Sequence, residues 1–527
     1  MRFRDGAVVA APSALAAALC LYEITGRSLG LDETASATIA AQHGGALGTA
    51  IARDGGNMAG YYALLHVLID VFGNGALVLR VPSALASTAT VAIVGLLGLR
   101  LFDRRIGLAA GVLSAVSLPL VFWGQSARGY APMVALVAGS FLAFASLIDP
   151  DRDARNNRRA WLGFVLATTL AAYCGFVAVL VIGAQLLTLF YFRDRRALGP
   201  VGSALAVIAA CCAPLVVLAV KRGSGQLFWV PRPSVNGGKQ VLEALTSSGL
   251  QPSFHPTSTS LVLLGLTLAL LTIVAGTIVR RFANGRRDRA AWGPALVLSW
   301  LVVPVVLALA ESWPGQPIFL PRNLLVALPA VALLLAWGIA DRRVPRLIAW
   351  SSLVALVALR ALQLAPSYHV SPENWRAASA YVLARSRAGD CLAFYPSDGR
   401  MAFRYYLGRS AASAFAASGS VSPLSSPPSL IARAPRPVLP AAPWREVHPY
   451  VEDYASLSGS ELARLPSGCP RLWLIASHRG QPQGSPVSRA NYARYVALRA
   501  ALAGEYARPG TVAFGYASPV AVDLFAK

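Results

Sequence analysis

The strongest constraint on this chain is a ladder of apolar runs joined by short arginine-rich links. They fall at about 6–24, 76–102, 106–123, 130–148, 160–173, 176–192, 198–220, 260–279, 292–310, 323–340 and 347–364, most long enough to cross a hydrocarbon layer of about 30 Å. Backbone in lipid must satisfy its own hydrogen bonds, so each run reads as a helix and the whole as a bundle of about eleven transmembrane helices. Across 527 residues, 55% are hydrophobic and only 13% charged, and the mean hydropathy of +0.54 excludes a soluble protein of ordinary surface. The net charge of +23 does not indicate a nucleic-acid partner. Its arginines sit in clusters between apolar runs rather than on one polar face.

Those clusters set the topology. Arg104 and Arg105, then Arg152, Arg155, Arg158 and Arg159, then Arg193, Arg195 and Arg196, then Arg280, Arg281, Arg286, Arg287 and Arg289, then Arg342, Arg343 and Arg346 occupy alternate links. The short links between them hold little more than Arg128 and Arg322. Basic residues accumulate on the cytoplasmic side, which places the N-terminus inside and residues 366–527 outside. Arg2 and Arg4 before an alanine-rich run imitate a signal peptide, and Leu19 before Cys20 excludes a lipoprotein site, so 6–24 reads as a retained first helix.

The run at 60–72 is too short to span. Its apolar residues Tyr61, Leu64, Leu65, Leu68, Ile69 and Phe72 share one face and Tyr62, His66 and Asp70 another, the pattern of a helix lying in the interface. The chain therefore reads as a transmembrane domain at 1–365, with long outer loops at 26–75 and 221–259, and a soluble outer domain at 366–527. In that domain 391–395 and 471–476 read as strands, 373–387, 401–407 and 488–502 as helices, and 512–525 as strand, an α/β pattern. Residues 418–443, rich in Pro and Ser, read as an irregular loop. Cys391 and Cys469 would pair if this region faces an oxidising compartment.

Candidates for chemistry are few. Asp32 and Glu33 lie just outside the first helix, where a carboxylate can serve as a general base on a hydroxyl. Equally, Asp32 reads as the N-cap of a helix over 33–42 ended by Gly44 or Gly45. Arg128 and Arg322 are isolated cations on the sparsely basic face; each suits a phosphate or snorkels to lipid headgroups. His66 and His255 read as structural. No His/Cys/Asp cluster has transition-metal spacing. Apart from an enzyme, the spans alone would allow a transporter or lipid flippase, although they carry few mid-depth charges, or a scaffold that works through its outer domain.

The ordered set Leu31-Asp32-Glu33-Thr34, Tyr61-Tyr62, Leu79-Arg80-Val81-Pro82-Ser83-Ala84-Leu85, Arg100-Leu101-Phe102, Gly107-Leu108-Ala109-Ala110, Gln125 to Tyr130 and Pro321-Arg322-Asn323-Leu324-Leu325 resembles the GT-C glycosyltransferases. Within them it is most similar to the protein O-mannosyltransferases and lipid A aminoarabinose transferases. Glu373-Asn374-Trp375-Arg376 with Gly389-Asp390 looks like the start of the outer domain in bacterial members. The resemblance implies an α-helical polytopic membrane enzyme that moves a sugar, with inversion, from a polyprenyl-phosphate donor to a glycan, lipid or protein acceptor at the outer face. It implies Asp32 as general base assisted by Glu33, and Arg128 and Arg322 on the lipid phosphate. Tyr130, Asn57, Tyr61, Tyr62, His66 and Trp229 would line the substrate site. It implies no certain cofactor, with a divalent cation possible; the acidic residue that relatives often carry beside Ser126 or after Arg128, which would help bind one, is missing here.

Overall fold

The computed structural model describes residues 3–148, 154–192, 195–223, 230–250, 257–283, 289–340, 344–417, 434–439, 469–507 and 510–527. By contacts the chain forms two compact units, Met1–Ile24 with Gly55–Tyr368, and Thr25–Asp54 with His369–Lys527. The C-terminal unit thus starts close to the expected boundary but also includes the first half of the loop at 26–75.

In chain order the helices before the outer domain are α1 (Phe3–Leu21), α2 (Leu31–Ala40), α3 (Gly45–Arg53), α4 (Ala59–Phe72), α5 (Ala76–Leu101), α6 (Arg104–Ala115), α7 (Leu118–Gly124), α8 (Tyr130–Leu147), α9 (Ala154–Cys174), α10 (Leu180–Phe192), α11 (Arg195–Arg222), α12 (Val235–Thr246), α13 (Thr257–Ala283), α14 (Arg289–Ser312), α15 (Leu328–Ile339) and α16 (Arg346–Leu364). Six helices among the described residues are long and apolar enough to cross a membrane, α5, α8, α11, α13, α14 and α16, and α6 with α7 makes a seventh if that bent pair is one span. The chain is a multi-pass membrane protein. The runs at 6–24, 176–192 and 323–340 form shorter apolar helices, and the polar start of α9, Arg155 to Arg159, takes up much of its length.

Two features of the membrane unit depart from the apolar pattern. The run at 106–123 is not one helix: it bends by 57° between α6 and α7, where Pro119 occupies the first turn of α7, a position that needs no N–H. The break leaves carbonyls at the end of α6 unpaired within the helix, and the buried Arg360 of α16 donates to one of them, Leu113 O. A cation at a helix C-terminus also meets the negative end of its dipole. Close backbone packing comes from glycine: a Cβ on Gly98 of α5 would lie 2.5 Å from Cα of Gly107 on α6, the small-residue crossing that membrane helices favour. Trp300 stacks on Phe141 with centroids 3.8 Å apart and donates its indole N–H to Val326 O. Helix α4 buries Tyr61, Tyr62 and Leu65 and leaves Leu64, Val67, Val71 and Phe72 exposed.

The second unit adds α17 (Trp375–Arg385), β1 (Cys391–Tyr395), α18 (Gly399–Ala417), β2 (Arg436–Leu439), β3 (Arg471–Ala476), α19 (Pro486–Glu505), β4 (Thr511–Phe514) and β5 (Val520–Ala526). The sheet runs β2-β1-β3-β5-β4; β2, β1 and β3 are parallel and β5 and β4 complete it antiparallel. Strands β1 and β3 are buried along their length, as central parallel strands must be. Tyr495, Leu498 and Leu502 of α19 cover one face. Cys391 and Cys469 form a disulfide with Cα atoms 5.6 Å apart, tying the start of β1 to the chain just before β3. The irregular stretch expected at 418–443 lies outside the described residues except for β2. Helix α2 packs on α18.

Candidate active site

In the membrane unit the expected phosphate residues come together. Arg128 and Arg322, 194 residues apart in sequence, each place Cζ 5.8 Å from the centroid of the Tyr130 ring. Tyr130 opens α8, is buried, and has Trp123 packed edge-on at 4.6 Å. An aromatic ring tolerates a guanidinium well, and each planar guanidinium is by itself suited to bidentate contact with a phosphate.

The backbone beneath this cluster is fixed. Arg128 O accepts from the Ser83 hydroxyl at 3.2 Å, Ser83 Oγ lies 3.1 Å from the Tyr61 hydroxyl, and the Tyr61 hydroxyl reaches Leu79 O at 3.3 Å. Next to Arg128, a Cβ on Gly129 would stand 2.7 Å from the Cys174 carbonyl and 3.4 Å from Tyr61 Cβ, so α8 can approach α9 only because residue 129 has no side chain. Arg322 sits in a turn closed by Asn323, whose carboxamide donates to Ile318 O at 2.9 Å, and by Ser312 Oγ, which accepts from the N–H groups of Ile318 and Phe319 at 2.8 Å.

The other expected lining residues behave differently. Tyr61 and Tyr62 are 1% and 0% exposed; Tyr61 acts on the site through Ser83 and the Arg128 backbone. Asn57 is half-buried in the turn before α4. His66 pairs with Asp70 one turn along α4 at 3.5 Å. Trp229 and His255 lie outside the described residues. Among the described residues no group of three His, Cys, Asp or Glu side chains is placed to hold a metal, so no ligand set is assigned to a cation.

In the other unit, Asp32 and Glu33 occupy the first turn of α2, which favours negative charge. The N-cap is Gly30, not Asp32, and the helix ends at Ala40, before Gly44 and Gly45. Without a cap side chain at residue 30, the terminal N–H groups are served from elsewhere: Glu33 Oε2 accepts from Gly30 N at 3.2 Å and Glu373 Oε2 from Leu31 N at 2.9 Å. Glu33 is buried by this back-reaching contact. Asp32 is half-buried, and its carbonyl accepts from the Ser36 hydroxyl.

A family described as dolichyl-phosphate-mannose-protein mannosyltransferase matches residues 58–219, a stretch that holds Tyr61, Arg128 and Tyr130. Among solved structures, ArnT from Cupriavidus metallidurans in the apo state superposes over 98% of this chain and 97% of its own, with TM-score 0.56 and 13% identity. The chain has the fold of the GT-C membrane glycosyltransferases. ArnT bound to undecaprenyl phosphate gives a TM-score of 0.54 at 13% identity, covering 98% of each chain. AglB, the archaeal oligosaccharyltransferase of Archaeoglobus fulgidus in complex with an inhibitory peptide and a dolichol-phosphate, gives 0.53 at 12%, covering 97% of this chain and 73% of that one. No curated protein matches by sequence.

Several residues brace this region without standing out in the sequence. Gln125 turns its carboxamide onto the end of α1, donating to Cys20 O at 3.2 Å and Tyr22 O at 2.6 Å. Arg80 donates to Ile24 O at 2.8 Å, and the Tyr368 hydroxyl to Leu19 O at 2.9 Å. These three bind carbonyls in the last turn of α1 and in the residues just after it, where no further helical N–H follows to pair them. Arg80 carried a signal: an arginine one turn into an apolar helix is costly unless paired.

Proposed function

We propose that this chain transfers a glycosyl group from a polyprenyl-phosphate donor to an acceptor hydroxyl at the outer face of the membrane. The convergence of Arg128 and Arg322 on Tyr130 carries this reading. Two cations at one buried ring suit an anionic donor, and the fold is shared with ArnT, which has been solved bound to undecaprenyl phosphate. The acceptor oxygen attacks the anomeric carbon from the face opposite the phosphate, the bond from that carbon to the phosphate oxygen breaks, and the configuration inverts. Asp32 takes the proton from the acceptor hydroxyl. The negative charge that grows on the departing lipid phosphate falls to Arg128 and Arg322, since cations placed where charge develops stabilise the transition state. Glu33, engaged with Gly30 N, orients the turn that carries the base. Residues 1–24 and 55–368 form the membrane part and 25–54 with 369–527 an outer unit, with the N-terminus in the cytoplasm of a bacterial cell. The test is Asp32→Asn in purified protein with a radiolabelled polyprenyl-phosphate sugar: turnover falls about 10²- to 10⁴-fold, the range general-base catalysis supplies, while folded yield is unchanged. Near-normal turnover would remove the central claim.

A further inference from the structure

Residues 25–31, which lead into α2, are held by an unbroken series of contacts from the outer domain and from α2 itself. The guanidinium of Arg376 donates to the carbonyls of Thr25, Gly26 and Arg27 at 2.9, 3.1 and 3.2 Å. The next four N–H groups each have a side-chain acceptor: Ser28 N on Ser371 Oγ at 3.0 Å, Leu29 N on the Tyr406 hydroxyl at 2.7 Å, Gly30 N on Glu33 and Leu31 N on Glu373. A surface connector needs no such fixing, because water would serve those groups. A reacting carboxylate does need it, within about half an ångström.

Of the partners supplied by residues 369–527, Glu373 binds the N–H of Leu31, the residue immediately before Asp32. Its carboxylate is itself locked: Oε2 also accepts from the Trp375 indole at 2.8 Å, and His478 Nε2 stands 3.3 Å from Oε1. Its side chain is 14% exposed, so the charge-assisted bond to Leu31 N forms largely out of water, where such bonds are strong. Gly30 has no Cβ, which would stand 3.8 Å from the Glu373 carboxylate; the helix receives its cap from a residue 342 positions away.

We propose that Glu373 is a positioning residue for glycosyl transfer, fixing the first turn of α2 and with it the Asp32 carboxylate; this rests on the reading of Asp32 as the base. The experiment measures kcat, donor KM and thermal midpoint for the full-length wild type, Glu373→Gln and Asp32→Asn. Glu373→Gln keeps an oxygen acceptor and removes the charge, and is expected to lower kcat about 10- to 100-fold, the scale of a small misplacement, with donor KM and midpoint unchanged. Should Glu373→Gln not accumulate, Glu373→Asp, which keeps the charge but is one methylene shorter, carries the same expectation. An unchanged kcat, or a kcat that falls only in step with the thermal midpoint, overturns the positioning role. An inactive Asp32→Asn beside a fully active Glu373→Gln overturns it alone, whereas a fully active Asp32→Asn removes the base assignment and the proposal with it.

Discussion

Gly129→Ala tests how tightly Arg128 is placed. Gly129 has φ −68°, so alanine meets no backbone strain; the obstacle is space. The added methyl would stand 2.7 Å from the Cys174 carbonyl, where ordinary contact begins at about 3.4 Å, so the start of α8 must retreat by about 0.7 Å. Overpacking of this kind costs about 1–3 kcal/mol. Because Arg128 is the adjacent residue and its own carbonyl is tied to Ser83, the displacement passes to the guanidinium, and kcat/KM for the lipid donor should fall about 10-fold or more. Gly139→Ala on the same helix is the control: its methyl would meet Ala167 Cβ at 3.7 Å, and alanine raises helix stability by about 0.5–1 kcal/mol over glycine. Initial rates over a range of donor concentration, with thermal midpoints in the same detergent, give both quantities. If Gly129→Ala and Gly139→Ala behave alike, the close approach of α8 to Cys174 does not set the position of Arg128.

Two further outcomes follow from the geometry. Arg322→Lys keeps the charge but loses the planar fork, and donor KM should rise about 10-fold, equivalent to about 1.4 kcal/mol, with folded yield unchanged; identical kinetics would dismiss Arg322 from phosphate binding. Burial pushes the Tyr395 phenol up to about 12 from an ordinary 10.0, against the opposing charge of Arg494. The stability this group lends the outer unit is therefore complete below pH 10 and lost as pH rises through 12. Far-UV circular dichroism should show alkaline unfolding that Tyr395→Phe makes shallower; an unaltered alkaline limb would refute it.

Sequence patterning located most of this architecture because its signals are local. Length and polarity bracket α5 and α8, apolar runs mark β1 and β3 to the residue, and the break at Gly175 separates α9 from α10. Arg128 and Arg322 stood out because arginine is sparse on that face, and they meet at Tyr130. The bend between α6 and α7 was signalled by Pro119 but masked by uninterrupted hydrophobicity. What no pattern could reveal is the grouping of residues 25–54 with the outer domain. Glu373, Arg376 and Tyr406 grip backbone N–H and C=O groups, which every residue possesses, so residues 25–31 carry no mark of being held. Asp32 was misjudged as an N-cap for the same reason, since the cap arrives from a distant residue.

That long-range cap imposes a schedule on biogenesis. Helix α2 spans ten residues, too few to persist alone in water, and its partner Glu373 is made 342 residues later. At about 5–20 residues per second of synthesis, the segment waits about 20 to 70 s after emerging before it can set. A nascent chain therefore cannot fix this turn while its earlier helices are being made, and sets it only when its last third has been synthesised and folded.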